Sequence, residues 1–399
     1  MTLLIRGIRQ LATSAGTSAP LRGDALREVD VIEDAYVLCE GDRIAAVGRM
    51  SELNLSGDVE EIDARDWCAV PGLVDCHTHP AFGGDRVNEF ALRAGGASYE
   101  ELHAAGGGIL STVRATRAAD LQQVVDRHAG WMLRDGTTTW EGKSGYGLDR
   151  DTELASLRAV AAAGGVPTWL GAHAVPSEFD HADAYLAFCL EVVLPVVAPV
   201  AEAADVFLER GAFDAAQARR YLEACRDAGL ALRLHGDQFT ESGAIPLAVE
   251  LGARSVDHLE ATGEDGVRAL AASEVTGVLL PASALFLGRP MPPARALVDA
   301  GAAVALATDF NPGSSFTTSL PLVCSLAATQ LKLAPAEALA AVTVNAAHVL
   351  GRNDAGRLVP GARADIVLLD APDWRYLSYH LAGDIVAAVV RGGTLAYRR

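Results

Sequence analysis

Residues 74–80 read Val74-Asp75-Cys76-His77-Thr78-His79-Pro80 and close an apolar run that begins at Ala69 and passes through Pro71-Gly72. Alternate residues of a strand face the same side. A buried strand ending here therefore aims the rings of His77 and His79 at one point. Two polar residues leaving a strand need no further meaning. Half of a metal site does, because it needs more ligands further along the chain.

The rest of the chain decides between these readings. Short β-branched runs lie at residues 70–77, 137–143, 167–174, 206–213, 231–238, 255–260, 276–281 and 303–311. Between them lie Ala/Leu/Arg-rich segments of helical spacing, such as 151–163, 215–228 and 245–251. Strand candidates alternating with helices over this length predict an α/β fold, a (β/α)8 barrel of the TIM type. An open doubly wound sheet is the alternative. Gly106-Gly107-Gly108 lacks the spacing and the preceding strand of a dinucleotide-binding turn. The chain ends differ from the middle. Residues 2–5, 34–39, 43–48, 365–370 and 385–393 alternate short strands with Gly turns. Residues 1–66 and 354–399 are expected to pair as a small β-sandwich domain, with the barrel at 67–353.

Barrel chemistry sits at the C-terminal ends of the strands. Read there, successive runs present His77 and His79, then His173, His235, His258 and Thr308-Asp309, and these strand ends hold five of the ten histidines. Three imidazoles and one carboxylate, from His77, His79, His235 and Asp309, suit one Zn²⁺ or an iron ion. Such an ion lowers the pKa of water to about 7 and so supplies a nucleophile. Asp309 could both bind the ion and take the water's proton. His258, one strand beyond His235, either polarises a carbonyl or orients a ligand.

Composition narrows the partners. The formal net charge of −18 argues against a nucleic-acid backbone. An acidic small molecule would need a local cation within that negative field. No run of about 18 apolar residues suggests a membrane span, and the apolar stretch in residues 1–16 is too short for a secretory leader. The six cysteines are scattered without a CxxC pair, which fits free thiols in a reducing, cytoplasmic setting.

The strings Pro71-Gly72-Leu73-Val74-Asp75-Cys76-His77-Thr78-His79, His235, His258 and Thr308-Asp309 together resemble the amidohydrolase superfamily. A narrower set resembles the imidazolonepropionase family: Phe82-Gly83-Gly84-Asp85-Arg86, Gly106-Gly107-Gly108-Ile109, Lys143-Ser144-Gly145-Tyr146-Gly147-Leu148, Gly171-Ala172-His173-Ala174-Val175-Pro176 and Asp309-Phe310-Asn311-Pro312-Gly313-Ser314-Ser315. The resemblance is clearest from Pro71 to Gly351. It implies metal ligands His77, His79, His235 and Asp309, and substrate contacts from Arg86, Tyr146, His173, Asn311, Gly313 and Ser314. It puts Gln238 and His258 beside the reacting carbonyl. The implied reaction is hydrolysis of the ring amide of 4-imidazolone-5-propionate, a small anionic heterocycle, to N-formimidoyl-L-glutamate. Many members of that family are dimers, so a homodimer is expected.

Read from the residues alone, these positions keep two meanings. Arg86, seven residues after His79, is a solvated loop arginine or a two-pronged carboxylate anchor. Tyr146 is a hydroxyl donor or a loop packer. Asn311 and Ser314 offer donors or ordinary turn chemistry. Trp140, Gly142 and Arg210 depart from the family pattern and bear on pocket size. Three other activities compete. A deaminase of the superfamily would carry Glu three residues after the fifth-strand His, where this chain has Gln238. A two-metal amidase would need a bridging lysine on the fourth strand, and the only lysines are Lys143 and Lys332. A catalytically silent scaffold would be expected to lose ligands.

Overall fold

The computed structural model describes residues 2–16, 19–55, 58–96 and 108–399. Gly106 and Gly107 of the glycine-rich string lie outside the described residues. Strand β1 (Thr2–Ser14) pairs antiparallel with β2 (Val29–Glu40), which pairs with β3 (Arg43–Arg49). It also pairs in parallel with β4 (Glu60–Asp63) and β5 (Cys68–Pro71).

The expected strand at 70–77 is in fact two. β5 stays in this first sheet, and β6 (Leu73–Asp75) opens the barrel. Gly72 is the crossing point. Its N–H donates to the Asp365 carbonyl at 2.8 Å, and a Cβ there would lie 2.7 Å from Cβ of Asp365. Only glycine lets the two sheets pass so closely.

The barrel continues through β7 (Thr137–Lys143), β8 (Val166–Ala172), β9 (Ala203–Leu208), β10 (Ala231–Gly236), β11 (Ser255–His258), β12 (Thr276–Leu279) and β13 (Ala303–Leu306). All eight are parallel neighbours in chain order. Both faces of these strands are covered, so polar members such as Glu141, Lys143, Asp205 and Asp257 are buried along with the apolar ones. The first and last strands meet beyond their ends. Asp309 N–H donates to the His77 carbonyl at 3.1 Å, and His79 N–H donates to the Phe310 carbonyl at 2.9 Å. Asp75 reinforces the seam by accepting from Thr308 N at 3.1 Å and Thr308 Oγ1 at 2.6 Å.

Helices follow the strands where local signals put them. Asp149 caps Arg150–Ala162 by accepting from Asp151 N and Thr152 N, and Asp214 forms a capping box on Ala215–Asp227. After the barrel the chain returns as β14 (Ile366–Leu369), β15 (Val386–Arg391) and β16 (Thr394–Arg398). They join the first sheet in the order β16-β15-β14-β5-β1-β2-β3. Leu3, Ile5 and Val37 from one chain end share a core with Ile366, Leu368 and Val390 from the other. Among the described residues no helix is long and apolar enough to cross a membrane.

Candidate active site

Several expected strands run too far, and the reason lies in the site. The runs ending near Gln238, Glu260 and Asn311 leave β geometry early, through Asp237 (φ 53), His258 (φ 85), Leu259 (φ 71) and Asp309 (φ 53). Non-glycine residues in the left-handed region are uncommon and cost energy. Here the bends turn His258 and Asp309 toward the barrel mouth. Asp237 holds its bend by accepting from Ser242 N at 2.8 Å and Thr262 Oγ1 at 3.1 Å.

The bends bring four donor atoms together. Nε2 of His79 lies 3.2 Å from Nε2 of His77 and 3.4 Å from Nε2 of His235. Oδ1 of Asp309 lies 3.5 Å from both His77 Nε2 and His79 Nε2. Donors bound tetrahedrally at about 2.1 Å from one ion stand roughly 3.4 Å apart, so these four separations suit a metal site, and His77, His79 and His235 form one compact donor group. His258 joins a second grouping with His77 and Asp309, and its ring centre is 5.3 Å from that of His235.

Behind the imidazoles stands a buried charge cluster that sequence reasoning missed. His77 Nδ1 donates to Asp257 Oδ2 at 2.6 Å, and His235 Nδ1 lies 3.0 Å from Asp205 Oδ2. These partners fix the rings and leave each Nε2 lone pair facing inward. Lys143 joins the two acids. Its Nζ is 2.6 Å from Asp205, 2.9 Å from Glu141 and 3.5 Å from Asp257. Glu141 also pairs with buried Arg233. The missed signal was an acid or lysine inside a barrel strand, which burial tolerates only when paired.

Electrostatics suit ligation. Burial pushes His235 down to about 3 and His79 well below its usual range, so both rings are neutral. Burial and Lys143 also push His77 down, but Asp257 and Asp309 outweigh them and leave it raised. Burial raises Asp257 and Asp309. Lys143 and His77 reverse this for Asp257, holding it at about 2, while His77 and His79 hold Asp309 well below the carboxylate range.

The expected substrate contacts line one cavity of about 410 Å³ above these donors: Arg86, Tyr146, His173, Gln238, His258, Asn311, Gly313 and Ser314. Arg86 is not the free cation that a solvated loop would give. Its Nε and Nη2 donate to Glu89 at 2.9 and 2.6 Å. Glu89 thus takes one edge and leaves Nη1 against Gly313, where a Cβ would collide with the guanidinium. Tyr146 rides on a loop wound around buried Glu153, whose carboxylate accepts from the N–H groups of Gly145, Gly147 and Leu148 at 2.8 to 3.1 Å. Burial raises its phenol, which stays a donor. His173 Nδ1 bonds the Gly145 carbonyl at 2.9 Å. The Asn311 amide is engaged within its loop. It accepts from Gly313 N and Ser314 N at 2.8 Å each and donates to the Asp309 carbonyl at 2.7 Å.

The departing residues sit elsewhere. Trp140 packs outside the strands with Val125, Met132 and Val160. A Cβ at Gly142 would lie 2.6 Å from Val160, so the glycine makes room where the indole enlarges the layer. Arg210 is exposed. None of the three lines the cavity.

The family model for the amidohydrolase family matches residues 68–395. Imidazolonepropionase of Rubrobacter xylanophilus is 61% identical over 99% of this chain and 98% of that protein. The chain belongs to the amidohydrolase family, and within it to the imidazolonepropionases. Imidazolonepropionase of Chloroflexus aggregans is 48% identical over 98% of this chain and 97% of its own length. Among solved structures, Escherichia coli guanine deaminase superposes with a TM-score of 0.73 at 17% identity, over 100% of this chain and 99% of that one. A triazine hydrolase variant reaches 0.75 at 19% identity, over 100% and 95%. At such identities the likeness is one of fold.

Acid should loosen the metal-free protein. Burial holds His173 at about 4, whereas an unfolded histidine titrates near 6.5. Between those values the unfolded chain binds more protons, so stability falls as pH drops through about 6.5. At pH 5 this residue alone costs about 2 kcal/mol. Urea midpoints of the metal-free protein should be lower at pH 5 than at pH 7, and His173→Gln should flatten part of that slope. An unchanged slope in the variant would sink the assignment.

Proposed function

We infer that this protein hydrolyses the ring amide C–N bond of 4-imidazolone-5-propionate to N-formimidoyl-L-glutamate, a step of histidine degradation. The observation that carries the reading is the four-donor set at the floor of a cavity whose wall holds Arg86. His77, His79, His235 and Asp309 would hold one divalent ion, zinc or iron. Bound there, the ion supplies a Lewis acid that lowers the pKa of water.

The remaining chemistry belongs to the chain. Arg86, steadied by Glu89, offers Nη1 to the propionate. The attacking water adds its oxygen to the ring carbonyl, and Asp309, held ionised, takes its proton. His258 stabilises the oxygen as charge develops. The C–N bond then breaks, the proton passes to the leaving nitrogen, and the acyl carbon becomes a carboxylic acid that releases its remaining proton to solvent as a second carboxylate. Tyr146 and His173 hydrogen-bond the heterocycle, and Gln238 orients it. A carboxamide cannot shuttle a proton, which disfavours deamination. Six unpaired, buried cysteines suit a cytoplasmic setting, and a homodimer is what the family resemblance implies.

The test is absorbance decay of freshly generated 4-imidazolone-5-propionate with and without protein, corrected for spontaneous decay. Rapid, chelator-sensitive loss with N-formimidoyl-L-glutamate appearing is expected. No acceleration by folded, metal-loaded protein would overturn the reading. In the same assay Arg86→Ala should raise KM about tenfold or more and spare cyclic amides without a carboxylate. Equal loss for both substrate types would make Arg86 structural.

A further inference from the structure

We propose that Arg93 and Arg289 form a second anion subsite at the cavity mouth, which takes the carboxylate that ring opening creates. The inference rests on the hydrolytic reading above. Hydrolysis converts a monocarboxylate into a dicarboxylate, so the product carries an anionic group for which the substrate has no counterpart. The cavity is lined by three arginines, Arg86, Arg93 and Arg289, and by two carboxylates, Glu89 and Asp309, of which only Glu89 pairs with an arginine. Glu89 pairs with Arg86 through both oxygens, so that pair adds no net charge. Arg93 and Arg289 have no acidic partner within 4.0 Å among the described residues, and their charge is uncompensated in a chain of net −18.

Both are pre-oriented by aromatic faces. Arg93 lies 4.9 Å over the Phe286 ring and 5.8 Å over Phe90. Arg289, three residues after Phe286, lies 5.2 Å over Phe239. A guanidinium held by cation–π contact keeps its N–H edges free for a carboxylate. Each also lines the cavity that holds Gln238, His258 and Asp309. Phe239 follows Gln238, and Arg93 Nη1 reaches the Gly313 carbonyl at 3.5 Å, next to Ser314, whose Oγ is 3.3 Å from Asp309. Once the C–N bond breaks, the new carboxylate is free to swing from the metal donors to these arginines on its way out.

The experiment is product inhibition measured with N-formimidoyl-L-glutamate in Arg93→Gln and Arg289→Gln, against Arg158→Gln as a control. Arg158 is exposed on helix Arg150–Ala162, lies off this cavity and removes the same charge. Each mouth variant should raise the product Ki about tenfold, the loss of one charge-assisted contact, with KM for the substrate within about twofold. Arg158→Gln should change neither. Unchanged Ki in both variants overturns the subsite, as does an equal rise in the control or a parallel rise of KM and Ki. Absence of wild-type turnover would overturn the activity itself and is read separately, in the uninhibited assay.

Discussion

Asp309→Asn lowers kcat by about three to four orders of magnitude and leaves the barrel folded. The size follows from two losses at one atom pair. Asparagine is a weaker metal ligand, and it cannot accept the proton of the attacking water; general-base catalysis alone accounts for about 10²–10⁴-fold. The change is nearly isosteric, and the backbone contacts that seat the residue remain: its N–H bonds the His77 carbonyl and its carbonyl accepts from Asn311. Ser314 Oγ, 3.3 Å from Oδ2, can still reach the amide oxygen. The variant should therefore unfold near the wild-type temperature while losing turnover. Single-turnover rates with the metal content measured in the same sample separate the two losses. Near-normal kcat would remove Asp309 from the proton path.

The barrel was legible because short β-branched runs alternate with segments of helical spacing, and several of the runs end in His or Asp. That pattern also pointed to His77, His79, His235 and Asp309 as candidate ligands, since residues at strand ends can be read without long-range information. Strand ends were harder to read. Periodicity carries no mark for a left-handed turn at Asp237, His258 or Asp309. Gly72 shows the same gap, because its role depends on Asp365, almost three hundred residues away in the chain. The loop strings around Tyr146 and Asn311 were visible, but not that Glu153 organises the first and that Asn311 spends its amide on the second. The charges behind the metal donors stayed hidden for a related reason. Glu141 and Lys143 share β7, but Asp205 and Asp257 lie on β9 and β11, and one sequence does not reveal which buried acids share one lysine.

That lysine carries the other large prediction. Lys143→Met removes the ammonium that lies between Asp205 and Asp257 and leaves both carboxylates buried. Breaking a buried ionic contact costs about 3–5 kcal/mol, so the metal-free protein should lose several degrees of thermal stability. The informative loss is in metal affinity. Asp205 and Asp257 set the His235 and His77 rings, and disturbing such outer partners costs about 10–100-fold in affinity. Competition with a chelator of known zinc affinity reads this directly, at a temperature where the variant is folded by circular dichroism. Glu141→Gln supplies the control. Glu141 touches Lys143, Arg233 and Thr168 but no ligand imidazole, so it should lower stability and spare zinc affinity to within about threefold. Equal affinity losses in both variants would mean that the cluster only supports the fold. An unchanged affinity in Lys143→Met would mean that Asp205 and Asp257 hold their imidazoles without it.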